Sequence, residues 1–233
     1  MIPARAGSKR IKNKNIRLLA GKPVLAYVVE NLILSEMFDA VIVSTDSSEI
    51  ESVALAAGAS VSIRPSVLAC DHTTTIDVIK YEIEKFEESQ STVISDVFCA
   101  YPTSVFLERD ILAAMLEIFD TGSYSFVITA VEYSHPIERA FMIKNTGSIV
   151  HEMGQSGSRR TQDCKQFFHD AALGYIGDRH SWLTCTSVFA STAVAALPVN
   201  RWQECDIDTE SDWRMLEAKF RLSLDLNDDN VYR

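Results

Sequence analysis

The sequence predicts an α/β protein: a mainly parallel sheet with helices on both faces, in three layers. Three observations carry that expectation. Short apolar runs such as Ala40–Ser44 and Ser95–Ala100 stand between polar residues, as strands covered on both sides do. Between the runs lie stretches whose apolar residues recur at helical spacing. The two patterns alternate as strand, loop, helix, strand as far as Val131. With 233 residues and 47% apolar content, the chain fits one domain over 1–233 with a sizeable core.

In order, Met1-Ile-Pro3 is a very short first strand, or the start of the chain lies a few residues inside the natural one. Pro23 to Glu36 is a helix with Val24, Leu25, Val28, Leu32 and Leu34 on its apolar face and Pro23 at its first position. Ala40–Ser44 is a buried strand. Ser47 or Ser48 caps a helix over Glu49–Ala57 that Gly58 ends. Val61-Ser-Ile63 is a short strand. A helix follows over Ile76–Glu88, then a strand over Ser95–Ala100, a helix over Asp110–Phe119 and a strand over Ser125–Val131. Ala140–Lys144 and Ser148–His151 pair as a hairpin about a turn at Asn145 to Gly147. Gly154–Gln166 is loop, Ala171–Ile176 a strand, Asp178–Trp182 a short helix and Ala193–Pro198 a strand. Thr209–Leu224 is the last helix, with Trp213, Leu216 and Phe220 at helical spacing, and the tail after Asp225 frays.

A net charge of −10 excludes general nucleic-acid and anionic-membrane binding, which need a basic face. No apolar run is long enough to span a membrane, and the start shows no signal-peptide pattern. The five cysteines have no regular spacing, which reads as reduced, mostly buried thiols of a cytoplasmic protein without a zinc site.

Two segments carry chemistry. The stretch from Arg5 to Asn15 holds Arg5, Lys9, Arg10, Lys12 and Lys14 around Ala6-Gly7-Ser8. Small residues let backbone N–H groups approach an anion, and Arg and Lys grip phosphate, so the loop suits a nucleoside triphosphate. It is not a Walker loop, and a merely solvated basic face is the alternative. Far along the chain, Asp206 and Asp208 alternate about Ile207, which turns both carboxylates to one side of an extended segment. Such a pair holds Mg²⁺, or it adds negative charge to a helix start whose cap is formed by Thr209, Glu210 and Asp212. In a parallel sheet, the loops at 5–15, 45–46, 64–75 and 101–107 gather at one edge, where ligands bind.

The run from Ile2 to Asn15, followed by Gly21-Lys-Pro23, resembles the signature of the cytidylyltransferases that activate nonulosonic acids. These are the CMP-sialic acid synthetases and the pseudaminic acid cytidylyltransferases. Their opening reads I-P-A-R-x-G-S-K-x-(I/L)-x-x-K-N, then G-K-P. Cys205-Asp-Ile-Asp-Thr-Glu-Ser-Asp-Trp213 resembles their metal motif, and Arg64-Pro65 with Asp71-His-Thr-Thr-Thr75 resembles R-P-x-x-L-A-x-D-x-(S/T)-(S/T). Further matches are His135-Pro-Ile-Glu-Arg-Ala140, Arg160-Thr-Gln-Asp163 and Phe168-His-Asp-Ala-Ala-Leu-Gly-Tyr175, the last against Y-H-D-A-G-x-F-Y. Tyr101-Pro-Thr-Ser-Val105 departs from the Q-P-T-S-P of the sialate enzymes at both ends, which favours pseudaminic acid as the sugar.

The resemblance implies a Rossmann-like three-layer fold of the nucleotide-diphospho-sugar transferase type, with a small excursion over about 135–185 that serves the sugar and a homodimer. It implies CMP transfer from CTP to a nine-carbon 2-keto sugar acid, with N-acylneuraminate, Kdo or a catalytically silent nucleotide-binding regulator as alternatives. Arg5, Lys14, Asp206 and Asp208 would be catalytic, the two aspartates holding Mg²⁺. Ala4, Arg5, Gly7, Ser8, Lys9, Arg10, Lys14, Asn15, Arg64 and Thr73 would bind the nucleotide. Tyr101, Thr103, Ser104, Arg139, Arg160, Gln162, His169 and Asp170 would face the sugar, with His169-Asp170 either a base pair or a structural hydrogen bond. Asp71 and the threonines after it would also cap the helix at Ile76.

Overall fold

The structure is a computed structural model that describes residues 1–8, 10–151 and 160–230, the side chains of 225–230 apart. In chain order the first elements are β1 (Ile2–Pro3), β2 (Leu18–Leu19), β3 (Lys22–Pro23), α1 (Val24–Ser35), β4 (Ile42–Thr45), α2 (Ser48–Ala56) and β5 (Ser60–Ile63). Next come α3 (Thr75–Gln90), β6 (Asp96–Ala100), α4 (Arg109–Phe119), β7 (Phe126–Glu132), β8 (Met142–Ile143) and β9 (Ile149–Val150). The chain continues through β10 (Phe168–Asp178), α5 (Arg179–Thr184), β11 (Val194–Pro198) and α6 (Glu210–Asn230).

β5, β4 and β1 form a parallel sheet, and β11, β7, β10 and β6 form a mixed one. The two join where the Met1 nitrogen donates to the Phe98 carbonyl at 2.6 Å and the Ala100 N–H donates to the Met1 carbonyl at 3.0 Å. That is the slanted bonding of parallel strands. The result is one twisted surface in the order β5-β4-β1-β6-β10-β7-β11. Only β10 runs antiparallel to its neighbours.

The pleat shows why there are three layers. Val97 and Cys99 enter one core cluster, while Phe98 and Ala100 enter the other. Phe126 and Ile128 likewise face away from Val127 and Val131. Adjacent strand residues point to opposite faces, so a sheet with two apolar faces needs two helical covers. Ile76, Ile79 and Ile83 of α3 and Trp182 of α5 cover one face. The other is covered by α1, α2, α4 and α6, with Trp213, Leu216 and Phe220 packed inward.

Capping explains several boundaries. The Ser47 hydroxyl accepts from Ile50 N–H and starts α2; Thr74 and Asp77 exchange bonds in a capping box that starts α3. Pro23 precedes α1 as its extended cap rather than standing inside it as expected, because its carbonyl side still belongs to the β2–β3 ladder. That ladder was not foreseen. It turns through Ala20 (φ 48°) and Gly21 (φ 87°), both left-handed. The tail expected to fray instead continues α6 to Asn230.

β10 is the larger surprise. It spans eleven residues where six were expected, and the bulge between Asp170 and Tyr175 bends it. Ala172, inside that bulge, sits at φ 53°. Gly174 is required by contact: a Cβ there would lie 2.7 Å from the Phe98 ring and 2.8 Å from the Cys99 carbonyl. The hairpin expected near 140–151 is present as β8 and β9. The loop expected over Gly154–Gln166 falls partly outside the described residues, and Thr161–Asp163 within it forms a 3₁₀ turn. Among the cysteines only Cys99 and Cys205 are buried; Cys70 is exposed, against the expectation of mostly buried thiols.

Candidate active site

The basic loop leaves β1 at the carboxyl edge of the sheet. Its two ends are tied together, since the Asn15 amide donates to the Arg5 carbonyl at 3.0 Å. Asp46, just past β4, accepts the Ala6 N–H at 2.9 Å and holds the loop from beneath. Ala4 is buried and gives its N–H to the Ser44 carbonyl at 2.8 Å, so it extends the strand and offers no donor to a ligand. Gly7 has open space around it: the nearest neighbour of a Cβ there would be Arg5 Nη1 at 3.9 Å. Lys9 lies outside the described residues.

A cleft of about 460 Å³ opens along this loop. Arg5, Ser8, Arg10, Lys14, Asn15, Arg64, Cys70, Asp71, Thr73, Tyr101 and Asp208 line it. Loops expected to gather at one edge therefore do so. A smaller recess of about 250 Å³ adjoins it, lined by Thr103, Asp170, Ala172 and Asp206. Lys14, Asn15, Tyr101, Pro102 and Ile207 line both, so they form the wall between two lobes. Ile207 is buried beneath that wall; Asp208 lines the first lobe and Asp206 the second, so the two carboxylates flank the wall rather than sharing one lobe as simple alternation would place them.

The charges are closely coupled. Lys14 Nζ donates to the Ile207 carbonyl at 2.7 Å. Partial burial lowers its pKa, although Asp208 and Asp206 pull it back up. Burial raises the Asp206 pKa, and repulsion from Asp208 adds to this. Arg10 donates to Asp208 at 2.7 Å, and Arg5 donates to Asp71 at 2.7 Å. Asp71 is thus the partner of an arginine and not a helix cap; Thr74 fills that role. Arg64 is 5% exposed, its Nε has no hydrogen-bond partner among the described residues, and burial lowers its pKa against the opposing pull of Asp46 and Glu82. Thr209 and Asp212 bond each other at the start of α6, and the Asp208 N–H also donates to Asp212 at 3.0 Å, so the cap leaves the Asp206 and Asp208 carboxylates unused.

The second lobe has its own network. The Tyr101 hydroxyl donates to the Tyr175 hydroxyl at 3.2 Å, and Tyr175 in turn donates to the Asp170 carboxylate. Burial pushes the Tyr101 phenol up to about 12 and raises Tyr175 as well. The Ala172 N–H completes the hold on Asp170 at 2.9 Å. His169 does not pair with the Asp170 side chain: its Nδ1 lies 3.0 Å from the Asp170 backbone carbonyl, and its ring packs edge-on against Tyr133. The structural reading of His169-Asp170 is the one that fits.

Ser104 is fully buried, donates to the Ala172 carbonyl at 3.1 Å and lines neither lobe. Thr103 lines the second lobe while its hydroxyl bonds the Cys205 carbonyl at 3.3 Å. Arg139, Arg160 and Gln162 line neither lobe. Asp46, Cys70 and Tyr175 lie in loops and a motif the sequence pointed to, but were not assigned as site residues. The end of β4 was placed at the ligand edge and Tyr175 closed a quoted motif, but the bonds these side chains make depend on residues far along the chain.

A protein-family model described as cytidylyltransferase matches residues 1–163. A pseudaminic acid cytidylyltransferase of Campylobacter jejuni is 35% identical over 225 residues, covering 96% of each chain. The chain belongs to the cytidylyltransferase family. Another relative is an N-acylneuraminate cytidylyltransferase of Escherichia coli, 26% identical over 97% of this chain and 54% of its own. Among solved structures, a CMP-2-keto-3-deoxy-manno-octonic acid synthetase complexed with CTP superposes with a TM-score of 0.70 at 14% identity, covering 95% of this chain and 97% of that one. That likeness establishes the nucleotidyltransferase fold. For this cytidylyltransferase the two-lobed cleft is then the place to look for chemistry.

Proposed function

We propose that the chain transfers CMP from CTP to the anomeric hydroxyl of a nonulosonic acid, with pseudaminic acid as the favoured acceptor, and releases pyrophosphate. The observation that carries this reading is the pair of lobes meeting at Lys14, with the basic loop on one side and Asp170 and Asp206 on the other. Near full-length similarity to the pseudaminic acid enzyme supports the choice of sugar, as does Tyr101 where sialate enzymes carry Gln.

In this reading CTP fills the larger lobe. Arg5, Ser8, Arg10 and Asn15 hold the phosphates, while Arg64 and Thr73 lie toward the nucleoside. The unpartnered Arg64 Nε supports a ligand acceptor at that point. The sugar acid fills the smaller lobe against Tyr101, Thr103 and Asp170. Its hydroxyl attacks the α-phosphorus in line as pyrophosphate leaves, and no protein nucleophile is needed. Lys14, on the dividing wall, stabilises charge at the α-phosphate, and Arg5 stabilises it on the leaving group.

Asp206 and Asp208 suit Mg²⁺. Their mutual repulsion is relieved by a cation, and two carboxylates with phosphate and water oxygens make its usual shell. No group of three or more potential metal ligands occurs among the described residues, so the substrate would have to complete that shell. The ion, when bound, supplies Lewis-acid charge to phosphate oxygens. Asp208→Ala tests the assignment: Mg²⁺-dependent pyrophosphate release should vanish, and full activity would sink it.

The chain works as a homodimer in this reading, with the excursion over 135–185 as the contact and part of the sugar site. Exposed Phe141, Met142, Ile143 and Ile149 at the β8–β9 hairpin, with Phe167 and Phe168 at the start of β10, support an apolar contact there. Arg139, Arg160 and Gln162, outside both lobes of their own protomer, would then reach the partner's sugar. The enzyme works in the cytoplasm; no described helix is long and apolar enough to cross a membrane.

A further inference from the structure

Arg10 is engaged in two incompatible ways. It lines the lobe assigned to the triphosphate, yet its guanidinium donates to Asp208 Oδ1 at 2.7 Å, on a carboxylate assigned to the metal. Both side chains are open to solvent, 69% and 40% exposed, so neither is locked by packing. A guanidinium on that oxygen repels a second cation approaching it. Lys14 differs, because it rests on the Ile207 carbonyl and leaves both carboxylates accessible.

We propose that Arg10 is an exchange residue: it covers Asp208 in the free enzyme and moves to the nucleotide's phosphates when they arrive, so that metal loading follows nucleotide binding. The inference rests on the metal reading above. A triphosphate offers Arg10 several oxygens in a geometry that suits its fork, against one carboxylate oxygen here. The swap leaves Asp208 uncovered at the moment a phosphate-borne cation needs it. Arg10 therefore acts on the two ligands with opposite signs. It competes with free metal and helps bind nucleotide.

The test uses Mn²⁺ as the probe, followed by electron paramagnetic resonance on the whole protein without nucleotide. CTP binding is measured separately by calorimetry in chelator. Wild type is compared with Arg10→Ala, with Lys12→Ala as a control for lost charge on the same exposed loop, and with Asp208→Asn. Arg10→Ala should bind Mn²⁺ about three- to fivefold more tightly than wild type, the upper range for an exposed ion pair, and bind CTP more weakly. Lys12→Ala should leave the Mn²⁺ affinity unchanged. Equal Mn²⁺ affinity in Arg10→Ala and wild type, with a loss in Asp208→Asn, would overturn the exchange and leave the metal reading standing. An equal gain in Lys12→Ala would overturn it in favour of overall charge. Unaltered Mn²⁺ binding in Asp208→Asn would remove the metal reading and the exchange together.

Discussion

Replacing Ala172 by glycine should make the protein more stable. The residue sits at φ 53° within the β10 bulge, where an L-residue's Cβ crowds its own carbonyl. Left-handed backbone costs an L-residue about 1–2 kcal/mol, and glycine adopts it freely. Against this, glycine loses about 0.5–1 kcal/mol of extra chain entropy on folding, and a half-buried methyl is removed. The net gain is about 0–1 kcal/mol, or at most about 2–4 °C in melting temperature for a chain of this size. The backbone bonds survive, because both the Ala172 N–H to Asp170 and the carbonyl that accepts from Ser104 are main-chain groups. Ala172→Val should lose about 2 kcal/mol or more, since β-branching is least tolerated at positive φ. Urea unfolding of the three proteins measures both signs. A destabilised glycine variant beside an unaffected valine variant would refute the left-handed geometry and the bulge that aims Asp170.

Other outcomes follow from the charges and surfaces. Lys14→Met should cut turnover by more than about a hundredfold while leaving the free enzyme no less stable, as calorimetry and a turnover assay would show. Its charged form is disfavoured by burial, so the lysine's contribution to stability rises with pH as pH climbs from its lowered folded value toward 10.5. Asp206 has the opposite slope. Its folded value is raised above 3.8, so its contribution falls as pH rises through that window; Asp206→Asn should flatten the dependence in pH-resolved melting curves and abolish turnover. Phe141→Glu with Ile143→Glu should turn a dimer into monomers in sedimentation, and the monomers should keep CTP binding but lose use of the sugar acid.

Much of this was legible in the sequence because repetition carries information. The strand–helix rhythm predicted the parallel half of the sheet, and a parallel sheet brings its carboxyl-end loops together whatever their separation along the chain. Hence Arg5, Lys14, Arg64, Tyr101 and Asp208 meet as expected. The antiparallel β10 was shortened because polar His169 and Asp170 precede its apolar run and Gly177 and Asp178 follow it, and only the structure shows Gly174 pressed against Phe98. Asp71 sits among threonines before a helix, so local capping looked sufficient; its ion pair with Arg5 depends on a contact 66 residues away. Ser104 follows a residue that faces the recess, but the turn there rotates its hydroxyl into the protein. Arg139, Arg160 and Gln162 were grouped with the sugar by motif, and motif adjacency alone does not place a side chain in either lobe.

Pyrophosphate release from CTP and Mg²⁺, measured side by side with pseudaminate, N-acetylneuraminate and Kdo, tests the central claim most directly. The two-lobed site with Tyr101 at its wall predicts release with all components present and the highest kcat/KM on pseudaminate. CTP binding without release on any of the three acids would contradict the enzyme, and a higher kcat/KM on N-acetylneuraminate or Kdo would contradict the sugar.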